Sequence, residues 1–309
     1  MGFGLKVRVE ILLTLSRKYS VMTKISSISL MLLLMIYSAS FSQDKKAFEL
    51  YNQKGNKVNY QSMLDSLSTT DIVLFGEFHN NPISHWLQYE LISDLKRNHI
   101  HLVIGAEMFE TDTQKTLDLY LNDSLAENEF RTKADVWSNY TTDYKPIVDF
   151  AKSTSTPFIA TNIPWPYATK VYKEGGFLAL DSLSPNDYDL MAPLPIPFDI
   201  ELPAYQNMLE MMGGHGGEDL VKAQAIKDAT MAHFILKNLQ PNQVFFHLNG
   251  SYHSNDFEGI YWYLKTYNEA VDILTISTVE QAETDVLNDK HLDKANFIIV
   301  VDEDMTKTY

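Results

Sequence analysis

The stretch Ile72-Val73-Leu74-Phe75-Gly76-Glu77-Phe78-His79 decides how this chain folds. Its four consecutive apolar residues predict a short strand that is buried on both faces. A glycine ends the strand, and two polar side chains follow at alternate positions. Because alternate residues of an extended segment point the same way, Glu77 and His79 are expected to share one face. Parallel α/β proteins bind their ligands at such strand ends.

Similar apolar runs alternate with helical patterns along the rest of the chain. Further strands are predicted at residues 102–106, 158–162, 244–248, 271–276 and 297–301. Most of them are followed by a segment with apolar residues at helical spacing. This alternation predicts an α/β fold with a mostly parallel central sheet flanked by helices. A helical insertion is expected in this fold at about residues 165–239.

The N-terminal segment has the pattern of an export signal. An apolar run at residues 28–37 is followed by small residues and then by charged ones. About ten apolar residues are too few to cross a membrane, but they suit a secretory signal. We therefore expect residues 1–42 to be a signal peptide region with its true start at Met22, residues 43–70 to be an N-terminal lead, and residues 71–309 to be the α/β domain. A retained anchor is the alternative.

Charge and cysteine content exclude several classes of partner and site. The formal net charge is −15, and the chain has no cysteine. An acidic surface repels nucleic acid phosphates and anionic lipids, so neither is an expected partner. Without cysteine there is no disulfide, no thiolate metal ligand and no lipid-bearing residue of a lipoprotein. An exported protein in the periplasm or associated with the envelope fits these properties.

Polar side chains follow three of the predicted strands at one edge of the sheet. The first strand leads to Glu77 and His79, the second to Glu107, and the fourth to His247 and His253. Carboxylates and imidazoles gathered at a sheet edge can hold a metal ion, so these five are the candidate metal ligands. Each also has an ordinary interpretation as a loop residue, a capping acid or a satisfied core histidine.

The insertion supplies a second set of candidates. His215 lies in a glycine-rich loop close to Met211 and Met212. Histidine and methionine are common axial ligands of haem iron, and a mobile loop suits an adaptable ligand. A plain turn between two helices explains the same loop, so both interpretations stay open.

Three motifs carry a family resemblance. They are Gly76-Glu77-Phe78-His79-Asn80, Gly105-Ala106-Glu107-Met108-Phe109-Glu110 and Asn249-Gly250-Ser251-Tyr252-His253-Ser254. Together they resemble the ChaN family of the haem-binding uptake and Tiki superfamily. Segments 161–164, 170–176 and 224–232 resemble further parts of that family's pattern, so the likeness covers about residues 71–256. It implies an iron-regulated envelope protein that binds haem, on a scaffold shared with metal-dependent hydrolases.

The resemblance also implies roles for individual residues. By position, Glu77, His79, Glu107 and His253 match the active or metal site of the hydrolytic relatives. Haem ligation in the family uses a tyrosine, and many of its members are lipoproteins, which this cysteine-free chain is not. The candidate cofactor-binding residues are therefore Tyr205, Tyr252, His215, Met211 and Met212.

Two hypotheses from different classes follow. In the first, the chain is an exported haem-binding protein of iron uptake, with haem in a cleft between the α/β core and the insertion. A homodimer and envelope haem-uptake components would then be its partners. In the second, the four acid and imidazole side chains form a metal-dependent hydrolase with a bound divalent ion. A serine hydrolase is not expected, because the Gly-x-Ser-x-Gly motif is missing.

Overall fold

The computed structural model of the chain describes residues 18–19, 45–98, 100–211 and 216–309. Residues Ala47–Tyr309 form one compact unit. Apart from residues 18–19, the expected signal peptide region lies outside the described residues. Within the part of the chain that is described, no helix combines the length and the apolar character that crossing a membrane requires.

A mixed sheet of seven strands forms the centre of the described unit. Its members are β1 (Phe48–Asn52), β2 (Ile72–Glu77), β3 (Leu102–Glu110), β4 (Phe158–Asn162), β5 (Val244–Gly250), β6 (Ile273–Gln281) and β7 (Phe297–Asp302). Their spatial order is β1-β7-β6-β2-β5-β3-β4. Strand β1 runs antiparallel to β7, and every other neighbouring pair is parallel. The mostly parallel α/β fold predicted from the sequence is confirmed.

Helices cover both faces of this sheet. They are α1 (Tyr60–Leu67), α2 (Pro82–Arg97), α3 (Gln114–Leu121), α4 (Glu127–Lys133), α5 (Lys145–Thr154), α6 (Trp165–Lys173), α7 (Pro203–Met211), α8 (Gly217–Asn238) and α9 (Ile260–Tyr267). Alternate residues of β2 enter two separate apolar clusters, Val73 and Phe75 in one, Ile72 and Leu74 in the other. Burial on both faces explains why this strand reads as an unbroken apolar run.

The strand order brings the predicted site residues to one edge. Strand β2 lies between β5 and β6, so the chain crosses β2 on its way from one to the other. The carboxyl ends of β2, β5 and β3 are therefore neighbours. Gly76 keeps this edge tight, since an added Cβ there would lie 2.9 Å from the Ser251 Cα and 3.0 Å from the Ile276 carbonyl oxygen.

The lead and the predicted insertion both contain regular secondary structure. The lead at residues 43–70 contains the edge strand β1 and the helix α1, whose residues Met63, Leu64 and Leu67 are buried. Between β4 and β5 the chain is mostly helical, with α6, α7, α8 and two short 3-10 turns. Residues 47–70 therefore belong to the same compact unit as the sheet.

Candidate functional site

The side chain of Glu77, at the end of β2, is fully enclosed and fully hydrogen-bonded. Tyr144 donates its hydroxyl to Oε1 at 2.7 Å, and Gln88 donates its amide to Oε2 at 2.5 Å. His79 donates Nδ1–H to Oε1 at 2.8 Å. With its Nδ1 held in this way, His79 has Nε2 as its free ring nitrogen. A buried carboxylate that fixes the tautomer and orientation of an exposed imidazole is a common device of functional sites.

A second buried group is centred on His253, in the 3-10 turn after β5. Its Nε2–H donates to Oε1 of Glu107 at 3.1 Å, and its Nδ1–H donates to Oδ1 of Asp228 at 2.5 Å. Glu107 also accepts the backbone N–H of Gly250 at 2.7 Å. Both ring nitrogens of His253 therefore face carboxylates, so the imidazole is held as a cation.

Gly250 joins these two groups. An added Cβ at Gly250 would lie 2.8 Å from Nε2 of His79 and 3.6 Å from Oε2 of Glu107. The glycine thus allows the two carboxylate–imidazole pairs to approach each other. Glu77, His79, Glu107 and His253, predicted from distant parts of the sequence to meet, are brought together at this edge.

The chain leaves His253 through a constrained turn. Asp256 and Phe257 adopt left-handed backbone angles, with φ of 59° and 60°. Gly259, with φ of 55°, precedes α9, and a Cβ there would overlap the carbonyl oxygen of His253. Two non-glycine residues in the left-handed region cost free energy that the surrounding contacts must offset. The turn fixes His253 above Asp228.

The electrostatics of the site favour one charged arrangement. Burial lowers the pKa of His253, but Glu107 and Asp228 outweigh this effect and raise it to about 10. Burial raises the pKa of Glu107, yet His253 and His79 hold it well below its usual value. Burial also lowers the pKa of His79, and Glu77 and Glu107 together shift it upward instead. His253 is thus an imidazolium that neutralises buried acids.

This arrangement predicts how stability depends on pH. The pKa of His253 is raised above its unfolded value of about 6.5, so its contribution is complete below about pH 6.5 and is lost as pH rises through about 10. Urea denaturation is expected to show a free energy of unfolding that falls from pH 7 to pH 10. In the control His253→Gln, this part of the fall should be missing. Equal slopes for the two proteins would contradict the assignment.

An open cleft of about 780 Å³ lies over these groups. Its lining includes Glu77, His79, Tyr252, His253, Lys307 and Tyr309. The side chain of His79 is 33% exposed, and Tyr252 is 42% exposed. The Tyr252 hydroxyl donates to the carbonyl oxygen of Ala204 at 2.9 Å. Small-molecule sites have volumes of this order.

Other candidates from the sequence lie away from the cleft. His247 is fully buried within β5, between the hydroxyl of Thr161 at 2.8 Å and the side-chain oxygen of Asn249 at 3.1 Å, and burial lowers its pKa to about 4. It is a neutral core histidine. Tyr205 is 2% exposed, and its ring stacks on Phe198.

The candidates of the insertion loop are only partly described. Met211, at the end of α7, is 82% exposed and is not among the residues that line the cleft. Met212 and His215 lie outside the described residues.

Several side chains of the site were not predicted. His85 and Gln88 contact Glu77 from α2, and their spacing of three residues on the helix that follows Glu77 is a signal that they share a face. Asp228 lies within the helical segment 224–232, one of the segments that carried the family resemblance. Tyr144 comes from a short π-helical turn, and no local pattern marks it.

The carboxylates and imidazoles are paired with one another. Within the described ranges, no group of three or more metal-ligating side chains has the geometry to hold an ion. A metal bound by all four of these side chains would require both the Glu77–His79 and the Glu107–His253 contacts to open.

Comparisons with known proteins agree with this architecture. Residues 63–264 match the family described as haem-binding uptake, Tiki superfamily, ChaN. A solved structure of ChaN from Campylobacter jejuni with cofacially bound haem is 18% identical, with a TM-score of 0.63, over 83% of this chain and 98% of that one. A Bacillus cereus protein is 9% identical, with a TM-score of 0.49, over 82% of this chain and 94% of that one. Among curated proteins there is no significant match. At 18% identity, the likeness to the Campylobacter jejuni structure shows the fold.

Proposed function

The chain belongs to the ChaN haem-binding uptake family of the Tiki superfamily, and from this premise we propose that it binds haem in the cleft above β2, β3 and β5. The family match carries the proposal, and the donor atoms of the cleft support it. Tyrosine and histidine are established ligands of haem iron. The cleft offers a partly exposed phenol on Tyr252 and an imidazole on His79.

Tyr252 is the iron ligand that we propose. Its phenol lines the cleft, and its single hydrogen bond, to the carbonyl oxygen of Ala204, lies at an exposed position. Tyr205 is enclosed in the core and offers no surface to a haem. His253 has both ring nitrogens committed to carboxylates. Haem would supply a ferric centre that accepts the Tyr252 oxygen, and the protein would supply its position.

Hemin titration of the purified chain tests this proposal. We expect a shifted Soret band that grows to saturation at a fixed ratio of haem to chain. Solutions of hemin alone at the same concentrations are the reference. A spectrum equal to the sum of free hemin and protein at every ratio would show that the proposal is wrong.

Metal-dependent hydrolysis at Glu77, His79, Glu107 and His253 is the alternative. The observation in its favour is that these four side chains meet below the same cleft. Elemental analysis of the same sample after incubation with divalent ions separates the two functions. Stoichiometric metal without a hemin signal would favour the hydrolase.

We further propose that the protein acts in the cell envelope. The support is the apolar run at residues 28–37 with its small-residue exit, together with the uptake family to which the chain belongs. The mature N-terminus, read from protein recovered in a periplasmic extract, is expected near residue 43. An intact N-terminal segment in the cytoplasmic fraction would contradict export.

A further inference from the structure

A second cavity of about 320 Å³ lies next to the cleft. Its walls are mostly apolar, with Pro82, Trp86, Tyr89 and Pro146 along them. Two buried polar side chains, His85 and Asp143, also line it. A concave, mostly apolar surface with a few converging polar groups is the usual composition of a small-molecule site.

The segment Lys307–Tyr309 separates this cavity from the cleft. Lys307 and Tyr309 line the cleft, whereas Thr308 lines the second cavity. Thr308 donates its backbone N–H to the carbonyl oxygen of Asn80 at 2.9 Å and its hydroxyl to Asp143 at 2.9 Å. The segment belongs to no helix or strand. A few hydrogen bonds therefore hold the partition between the two cavities.

The anchor on the cleft side is an ion pair that water reaches in part. Lys307 forms an ion pair with Glu280, and the side chains are 30% and 24% exposed. A partly exposed ion pair can be broken at a lower cost than a fully buried one. Moving the segment aside would open the two cavities to each other past Asn80.

The second cavity is more apolar than the cleft, and a haem likewise has one apolar and one charged edge. Polar and charged side chains such as Asn80, Glu280 and Lys307 line part of the cleft, whereas the surface of the second cavity is apolar for the most part. A haem has two carboxylates at one edge and only methyl and vinyl groups at the other. Its apolar edge would be removed from water more completely against Trp86 and Tyr89 than beside the charged side chains of the cleft.

We propose that the second cavity is the other half of the haem site. The segment Lys307–Tyr309 moves aside as haem binds, the apolar edge of the macrocycle enters against Trp86 and Tyr89, and its carboxylates stay in the polar cleft. This inference rests on the proposed haem binding.

An engineered cross-link tests the movement, because the chain has no cysteine of its own. Asn80→Cys with Thr308→Cys locks the segment at a point where the two backbones are hydrogen-bonded. The reference is Asn80→Ser with Thr308→Ser, which has no cross-link and no thiol. We expect the disulfide-linked cysteine variant to bind hemin about tenfold more weakly than the serine variant, or weaker still.

A second disulfide, placed away from both cavities, controls for the effect of a cross-link as such. Asp71→Cys with Asp272→Cys joins another hydrogen-bonded backbone pair, at the opposite end of β2 and β6. Its oxidised form should bind hemin like the unmodified chain. Complete oxidation is checked by the absence of free thiols.

Trp86→Ala tests the apolar wall. Trp86 is 49% exposed, and its loss should weaken hemin binding by roughly fivefold or more. The control is Trp165→Ala, which removes a tryptophan that is 64% exposed and lines neither cavity. Thermal unfolding of each variant shows that the fold is intact.

The outcomes separate this inference from the function on which it rests. If the locked and serine variants bind hemin equally, the segment does not move and the inference is overturned, while haem binding in the cleft stands. If Trp86→Ala matches Trp165→Ala, the apolar cavity is not part of the site. If the unmodified chain shows no hemin binding, both the function and the inference are wrong.

Discussion

Replacing His253 with alanine is expected to lower the free energy of unfolding by about 3 to 5 kcal/mol, because removing one partner of a buried ion pair leaves the other uncompensated. His253 lies between Glu107 and Asp228, and all three side chains are less than a tenth exposed. Without the imidazolium, two carboxylates would face each other in the core with no cation between them. Urea denaturation at neutral pH measures the loss.

A second substitution separates charge from packing. Adding Asp228→Asn to His253→Ala removes one buried charge but leaves the cavity of the missing ring in place. If the charge dominates, the double variant should recover about 1 to 3 kcal/mol, as coupled neighbouring sites do. A double variant that is less stable than His253→Ala would show that the cavity, rather than the charge, accounts for the loss.

Most of the strands that the sequence predicted are buried on both faces. An apolar run such as residues 72–75 is visible because no position along it faces water. Strand β1 was missed for the opposite reason. It lies at the edge of the sheet, pairs with β7 alone and has only two consecutive buried residues, Leu50 and Tyr51, among its five positions. So short a pattern also fits an irregular lead.

The site was predictable as far as the sheet dictates it. Glu77 ends β2, Glu107 lies in the carboxyl-terminal half of β3 and His253 follows β5, so a parallel sheet places all three at the same edge. Their partners Tyr144 and Asp228 come from helical segments, and only packing decides which helical residue reaches a given carboxylate. His247 shows the same limit. Its place within the strand does not reveal that Thr161 and Asn249 form hydrogen bonds with its two ring nitrogens.

Asp228 shows how much a helix pattern could have added. Gln224 and Asp228 are four residues apart on α8, so both side chains lie on one face of that helix. Gln224 lines the cleft, and Asp228 holds His253. A polar pair at this spacing, in a helix otherwise rich in alanine and apolar residues, was a signal for a face that meets the site.

Replacing Tyr252 with phenylalanine is expected to lower hemin affinity by about ten- to a hundredfold and to move the Soret band, because the ring stays while the oxygen donor is lost. Loss of the Ala204 hydrogen bond should cost only about 1 kcal/mol of stability. Tyr309→Phe is the matched control, since Tyr309 also lines the cleft and is 66% exposed. Absorbance titration compares the three proteins. If Tyr309→Phe loses the band and Tyr252→Phe keeps it, the iron ligand lies on the segment that separates the two cavities, and the assignment of Tyr252 is wrong.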